Sequence, residues 1–142
     1  MSNFSLTLRN HVSEISRLVD RVEAFGAEAS LPPDVTFRLT LALDEVVSNV
    51  IRHGLRDRSD QSVSVSVRVA DGMVTATVED AGVPFDPREA PVPNLDAPIE
   101  DRTAGGLGVH LVKATMDEVE YRRAGDRNIL TLRTATQSRD AV

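Results

Sequence analysis

Hydrophobic and polar residues alternate strictly in some stretches of the chain and recur at three- and four-residue spacing in others. Phe4, Leu6 and Leu8 alternate with Ser5, Thr7 and Arg9, which predicts a short half-buried strand. From Val12 the period lengthens. Val12, Ile15, Leu18, Val19, Val22 and Phe25 form a helical stripe, with a stop expected near Gly26. Pro32 and Pro33 suit the opening turn of a second helix, predicted from about Asp34 to His53. Val63, Val65, Val67 and Val69 then share one face of a strand, and Asp71-Gly72 is a hairpin signal. Val74, Ala76 and Val78 continue in the return strand, which ends at Glu79-Asp80. A third helix is predicted through Val109, Leu111, Val112, Thr115 and Met116. A last hairpin follows through Val119 and Tyr121, then Ile129, Leu130 and Leu132, turning around Ala124–Asn128. Residues 137–142 read as a frayed tail.

Between Pro84 and Arg102 periodicity disappears, and five of the seven prolines fall there. A segment of that length inside a compact domain reads as a lid, spanning about 84–105. No internal repeat or linker interrupts the remainder. The expectation is a single domain over 1–142, α+β in class: a two-layer α/β sandwich with a mixed, largely antiparallel sheet and helices on one face.

Composition narrows the chemistry. With 16 Lys+Arg against 22 Asp+Glu the chain carries a net charge of -6, which argues against a general nucleic-acid surface but not against one bound nucleotide. There is no cysteine, so thiol chemistry is absent. No signal-peptide pattern and no apolar run of membrane-spanning length occurs, so a cytoplasmic location is expected.

The second helix carries the first candidate chemistry. Leu39, Ala42, Val46 and Val50 mark its core face, while Glu45 and Asn49 stand one turn apart on one flank and His53 lies four residues further on. A carboxylate beside a carboxamide offers a base and a neutral oxygen ligand for a hard cation. Two solvated residues on an exposed face would look the same. Asp80-Ala-Gly82 closes a strand; Asp80 can accept a hydrogen bond from an exocyclic amine, and Gly82 lets a planar base approach. The ordinary alternative is a strand-ending turn. Gly105-Gly-Leu-Gly108 opens a helix, where successive backbone N–H groups suit a phosphate chain or else form a hinge. It matches neither a P-loop nor a dinucleotide fingerprint. His53 reads equally as a phosphate neighbour or as a helix-terminal histidine. His11 and His110 have no assigned partner, Lys113 reads as a surface residue, and no cluster has zinc-ligand spacing.

Taken in order, these motifs resemble the GHKL superfamily of ATP-binding domains, and within it the bacterial anti-sigma-factor serine kinases. The residues are Asp44-Glu45 and Asn49 with His53-Gly54, then Asp80-Ala-Gly-Val-Pro-Phe-Asp-Pro87. The last are Gly105-Gly-Leu-Gly-Val-His-Leu-Val-Lys113, running to Met116-Asp-Glu-Val-Glu-Tyr121. The resemblance covers nearly the whole chain. It implies the Bergerat ATP-binding fold, with ATP and Mg²⁺ as cofactors. It further implies Asn49 as the metal ligand, Asp80 on the adenine amine, Gly82 beneath the ring, and Gly105, Gly106, Leu107 and Gly108 around the phosphates beside His53. Glu45 would be the general base toward a serine hydroxyl, and Asp44, about 100° away around the helix, is the weaker candidate. Some members of that branch carry an arginine beside the phosphate glycines. Here that position is Ala104 or Gly105, and the nearest arginine is Arg102.

The implied function is an anti-sigma-factor serine kinase. It would bind a sigma factor or similar regulator and phosphorylate a serine of an antagonist protein, with homodimerisation also expected. The rival expectation is a nucleotide-dependent protein-binding module without significant transfer. A third is an α+β interaction domain whose glycine loop is only a hinge.

Overall fold

The computed structural model describes residues 2–54, 61–84 and 112–139. Five strands form one sheet in the spatial order β1-β2-β3-β5-β4: β1 Ser2–Arg9, β2 Ser62–Ala70, β3 Met73–Asp80, β4 Glu118–Ala124 and β5 Arg127–Ala135. All four pairings are antiparallel, so no mixed pairing occurs among the described residues. Alternation decides which face is covered. Phe4 and Leu8, Val63, Val65 and Val67, Val74, Ala76 and Val78, and Leu130 and Leu132 point inward and are buried. Ser, Thr and charged residues take most of the intervening positions. The β2–β3 turn places Asp71 and Gly72 at φ of +55° and +76°, the pair of left-handed residues that a two-residue I′ turn requires.

Among the described residues two long helices cover most of the inward face. A short 3₁₀ turn, Val12–Glu14, leads into α1, Ile15–Glu28; Val12 itself is exposed. His11 caps this turn, its Nδ1 accepting from the backbone N–H of Ser13 at 3.1 Å. The expected stop near Gly26 falls two residues before the last residue of the helix, Glu28. Leu31 N–H donates to Gly26 O at 2.9 Å and Ser30 N–H to Ala27 O at 3.2 Å, with Ser30 at φ +54°. That is the Schellman ending with serine where glycine is usual. Gly26 serves packing instead: a Cβ there would lie 2.3 Å from Thr36 Oγ1 on the neighbouring helix.

The second helix, α2, is Pro33–Asn49, with Leu39, Ala42 and Val46 buried against the sheet and Val50 packed at the core's edge. Its predicted extent to His53 is corrected. From Val50 to Gly54 the chain forms a π-helical turn. Phe25, Leu18 and Val22 of α1 complete the core, and Phe25 packs on Phe4 at a centroid distance of 5.1 Å. Each such fully buried side chain contributes about 1.5–3 kcal/mol. Of the third predicted helix, 112–115 is helical, with Val112 and Met116 buried. The rest of that helix and the predicted lid lie outside the described residues. Among the described residues no helix is long and apolar enough to cross a membrane.

The predicted frayed tail is also corrected in part. Arg139 donates its backbone N–H to Asp34 Oδ2 at 2.9 Å, Nη1 to Ala114 O at 3.1 Å and Nη2 to Asp117 Oδ1 at 2.9 Å. These bonds tie the chain end to α2 and to the turn after residue 115.

Candidate functional site

Asp80 is the last residue of β3, paired in register with Asn128 at the start of β5. It is 4% exposed, because inward positions continue to the strand's end. A carboxylate so placed needs donors. Asp80 Oδ1 accepts from Gly82 N–H at 2.8 Å, closing an Asx turn, and from Asn128 Nδ2 at 3.0 Å. Asn128 Nδ2 also donates to Val83 O at 2.9 Å. Its oxygen accepts from Tyr121 Oη at 2.5 Å and from Arg123 Nη1 at 3.2 Å. Arg123 Nη1 further donates to Gly82 O at 2.7 Å. The Asp80-Ala-Gly82 loop is therefore clamped by Asn128 and Arg123 of the last hairpin, and Tyr121 holds Asn128 in turn.

None of those three stands out in the sequence as a site residue. One signal was present: Asn128 occupies an inward position of the alternation that continues through Leu130 and Leu132. A polar residue there must find a buried partner.

Glu45 and Asn49 both lie on α2, half-buried on the flank beside the core positions Ala42 and Val46. Asp44 is engaged elsewhere, accepting from Ser48 Oγ at 3.0 Å. Asn49 is the last α-helical residue, and the π turn that follows has wider i→i+5 bonding. Four-residue spacing from Asn49 to His53 thus loses its α-helical meaning, and the side chain of His53 lies outside the described residues. So do Arg102, Ala104, Gly105, Gly106, Leu107, Gly108 and His110. Gly82 lies against Asp80 through the Asx turn, the strand-ending turn that the Asp-x-Gly pattern also allows.

The orientation of α2 relates these groups to one another. Arg38 Nη2 donates to Thr134 Oγ1 at 3.3 Å, which holds the N-terminal half of α2 over the far end of β5. Asp80 and Asn128 lie at the other end of the same strand pair. The 17 residues of α2 span about 25 Å, and the 8 residues of β3 about 26 Å.

Comparison with known proteins agrees with this architecture. Residues 7–134 match the model of the histidine kinase-like ATPase domain. The serine/threonine-protein kinase BtrW of Bordetella bronchiseptica is 30% identical over 96 residues, 68% of each chain. An anti-sigma F factor of Geobacillus stearothermophilus is 32% identical over 98 residues, 69% of this chain and 67% of that protein. Among solved structures, the RsbU and RsbW domains of a Mycobacterium tuberculosis protein superpose with a TM-score of 0.68 at 18% identity. That match covers 95% of this chain and 32% of the other, and it speaks for the fold. Sheet, helix placement and the family match over 7–134 lead to one conclusion: this chain belongs to the histidine kinase-like ATPase (GHKL) family, and its relatives include anti-sigma factors and serine kinases.

Proposed function

We propose that the protein is an ATP- and Mg²⁺-dependent serine kinase of the anti-sigma-factor type. It binds a sigma factor or similar regulator and phosphorylates a serine of an antagonist protein. The observation that carries this reading is Asp80: a buried carboxylate at a strand end, with two donors converging on Oδ1. Such a group is a prepared acceptor for the exocyclic amine of adenine, and Gly82 beside it leaves room for the ring. The direction of α2, from Thr134 toward the Asp80 end of the sheet, supports a shared site for Asp80 and the Glu45–Asn49 flank. The kinase names of the relatives support the reaction class.

In this reading Gly105, Gly106, Leu107 and Gly108 hold the phosphates through backbone N–H groups, with His53 beside them. Mg²⁺ usually takes one or two protein oxygens and otherwise substrate phosphates and water. The carboxamide oxygen of Asn49 fits that demand, and the bound metal would neutralise phosphate charge. Glu45 accepts the proton of the serine hydroxyl as its oxygen bonds to the γ-phosphorus. The bond from that phosphorus to the bridging oxygen breaks, and ADP leaves with the electron pair. Phosphoryl transfer needs little beyond such positioning and charge neutralisation.

The test is transfer of labelled γ-phosphate to candidate antagonist proteins, wild type beside Glu45→Ala. A large loss of rate with unchanged ATP affinity is expected. If wild type transfers no phosphate while ATP alters affinity for the regulator, the protein is a nucleotide-dependent binding module instead.

A further inference from the structure

We propose that Asn128 sets the purine selectivity of the site, by deciding which oxygen of Asp80 is left for a ligand. The inference rests on the reading of Asp80 as the acceptor for an adenine amine.

The orientation of Asn128 is not free. A guanidinium donates and never accepts, so the Asn128 atom 3.2 Å from Arg123 Nη1 is the oxygen. Tyr121 Oη donates to the same oxygen. The amide nitrogen is thereby turned toward Asp80, and its two hydrogens are used on Asp80 Oδ1 and Val83 O. Gly82 N–H reaches the same Oδ1. Among the described residues both donors to the Asp80 side chain converge on Oδ1, and none reaches Oδ2. Among the described residues the carboxylate is held by one oxygen, which leaves the other as the acceptor for a ligand. An amine at position 6 of a purine complements it, whereas an oxo group there would oppose two acceptors.

A sharper consequence follows for Asp80→Asn. Two donors still converge on one position, so the new carboxamide keeps its oxygen there. Its NH₂ then takes the place of Oδ2, and an acceptor becomes a donor. Preference should move from 6-amino to 6-oxo purines, and this inversion should depend on Asn128. With Asn128 removed, Gly82 N–H alone orients the side chain.

The experiment is calorimetric binding of ATP and ITP, which share sugar and triphosphate and differ at positions 6 and 1 of the base. Wild type should prefer ATP, and Asp80→Asn should prefer ITP. Asn128→Ala should narrow the ATP-to-ITP ratio by about tenfold, the scale of one hydrogen bond to a charged group. Asp80→Asn with Asn128→Ala should bring the two nucleotides close to parity. Tyr121→Phe, which removes one hydroxyl, should narrow the ratio less and serves if Asn128→Ala fails to fold. Equal weakening of both nucleotides, or an unchanged ratio in Asn128→Ala and Tyr121→Phe, overturns the role of Asn128 and leaves Asp80 standing. Equal binding of ATP and ITP by wild type overturns Asp80 itself, and the proposal with it.

Discussion

The two ends of β5 carry polar clusters of the same ingredients and opposite character. At its start, Asn128 and Asp80 pair beside Arg123 and Tyr121, and Asp80 retains an oxygen that no described donor reaches. At its far end, Thr134 is fully buried and acts as a relay. It accepts from Arg38 Nη2 at 3.3 Å and donates to Asp117 Oδ2 at 3.2 Å. Asp117 Oδ2 also accepts from Ala135 N–H at 2.8 Å, and Oδ1 from Arg139. Asp34 closes the ring through Arg38 Nη1 at 2.7 Å and Arg139 N–H at 2.9 Å. Here both oxygens of Asp117 are satisfied, and the remaining buried atom without a partner is a donor, Arg38 Nε. Burial and hydrogen bonding do not by themselves distinguish a site from a strut. Capacity left over on an acceptor does, because a ligand amine can be received there and not in the closed ring.

If this contrast holds, substitutions at the α2 C-terminal flank change chemistry and those in the ring change stability. The largest effect is expected from Glu45→Ala, with phosphoryl transfer slowed about 10²–10⁴-fold and the unfolding midpoint almost unmoved. A comparable loss of stability would place Glu45 with the structural residues. Next is Arg38→Ala. Removing its guanidinium takes donors from Asp34 and Thr134, with a loss of stability. Urea unfolding should show that loss, while the protein that remains folded binds ATP normally. Altered ATP affinity there would break the division between the two ends.

Asn49→Ala sharpens the division on the functional side. Metal affinity in the presence of ATP should fall at least 10–100-fold, the cost of losing a mere outer-shell partner. Metal-free ATP binding should be unchanged. Calorimetry with and without Mg²⁺ checks it, and intact metal-dependent tightening removes Asn49 from the metal site.

The smallest effect is the acid response of the ring. Hydrogen bonds from Ala135 N–H and then the Arg139 side chain hold the Asp117 carboxyl below its usual range. The Ser138 hydroxyl, Arg139 N–H and Arg38 do the same for Asp34. A carboxyl depressed in the folded state adds stability above its unfolded pKa, here near 3.8, and loses it as pH falls through the lower folded value. Thermal midpoints should therefore be level above about pH 5 and fall below about pH 4. In Asp117→Asn the fall should be shallower; an identical acid limb would show that the ring does not govern it.

Elements whose cause is local were legible from the residues. The valines of β2 alternate because one face is buried, Asp71-Gly72 turns the hairpin, and Pro33 starts α2. Asp80 and Gly82 could be singled out because a strand end and an Asx turn are local patterns. Gly26 was misleading: its meaning lies in Thr36 across the helix pair, and the true helix end is a serine in a conformation usually taken by glycine. The π turn at Val50–Gly54 could not be read, since apolar spacing in so short a stretch does not separate i→i+4 from i→i+5 bonding. Arg139 looked like tail because its partners, Asp34 and Asp117, are 105 and 22 residues away. Asn128 is the clearest case. Its type and inward position are properties of the sequence, but its partner Asp80 lies 48 residues earlier, across a strand pairing that is not sequential. The sequence by itself determined periodicity, turns and the chemical kinds present, because those depend on neighbours along the chain. Which donor meets which oxygen was decided only by the tertiary structure, because hydrogen bonding at about 3 Å depends on how β3, β5 and α2 are brought together.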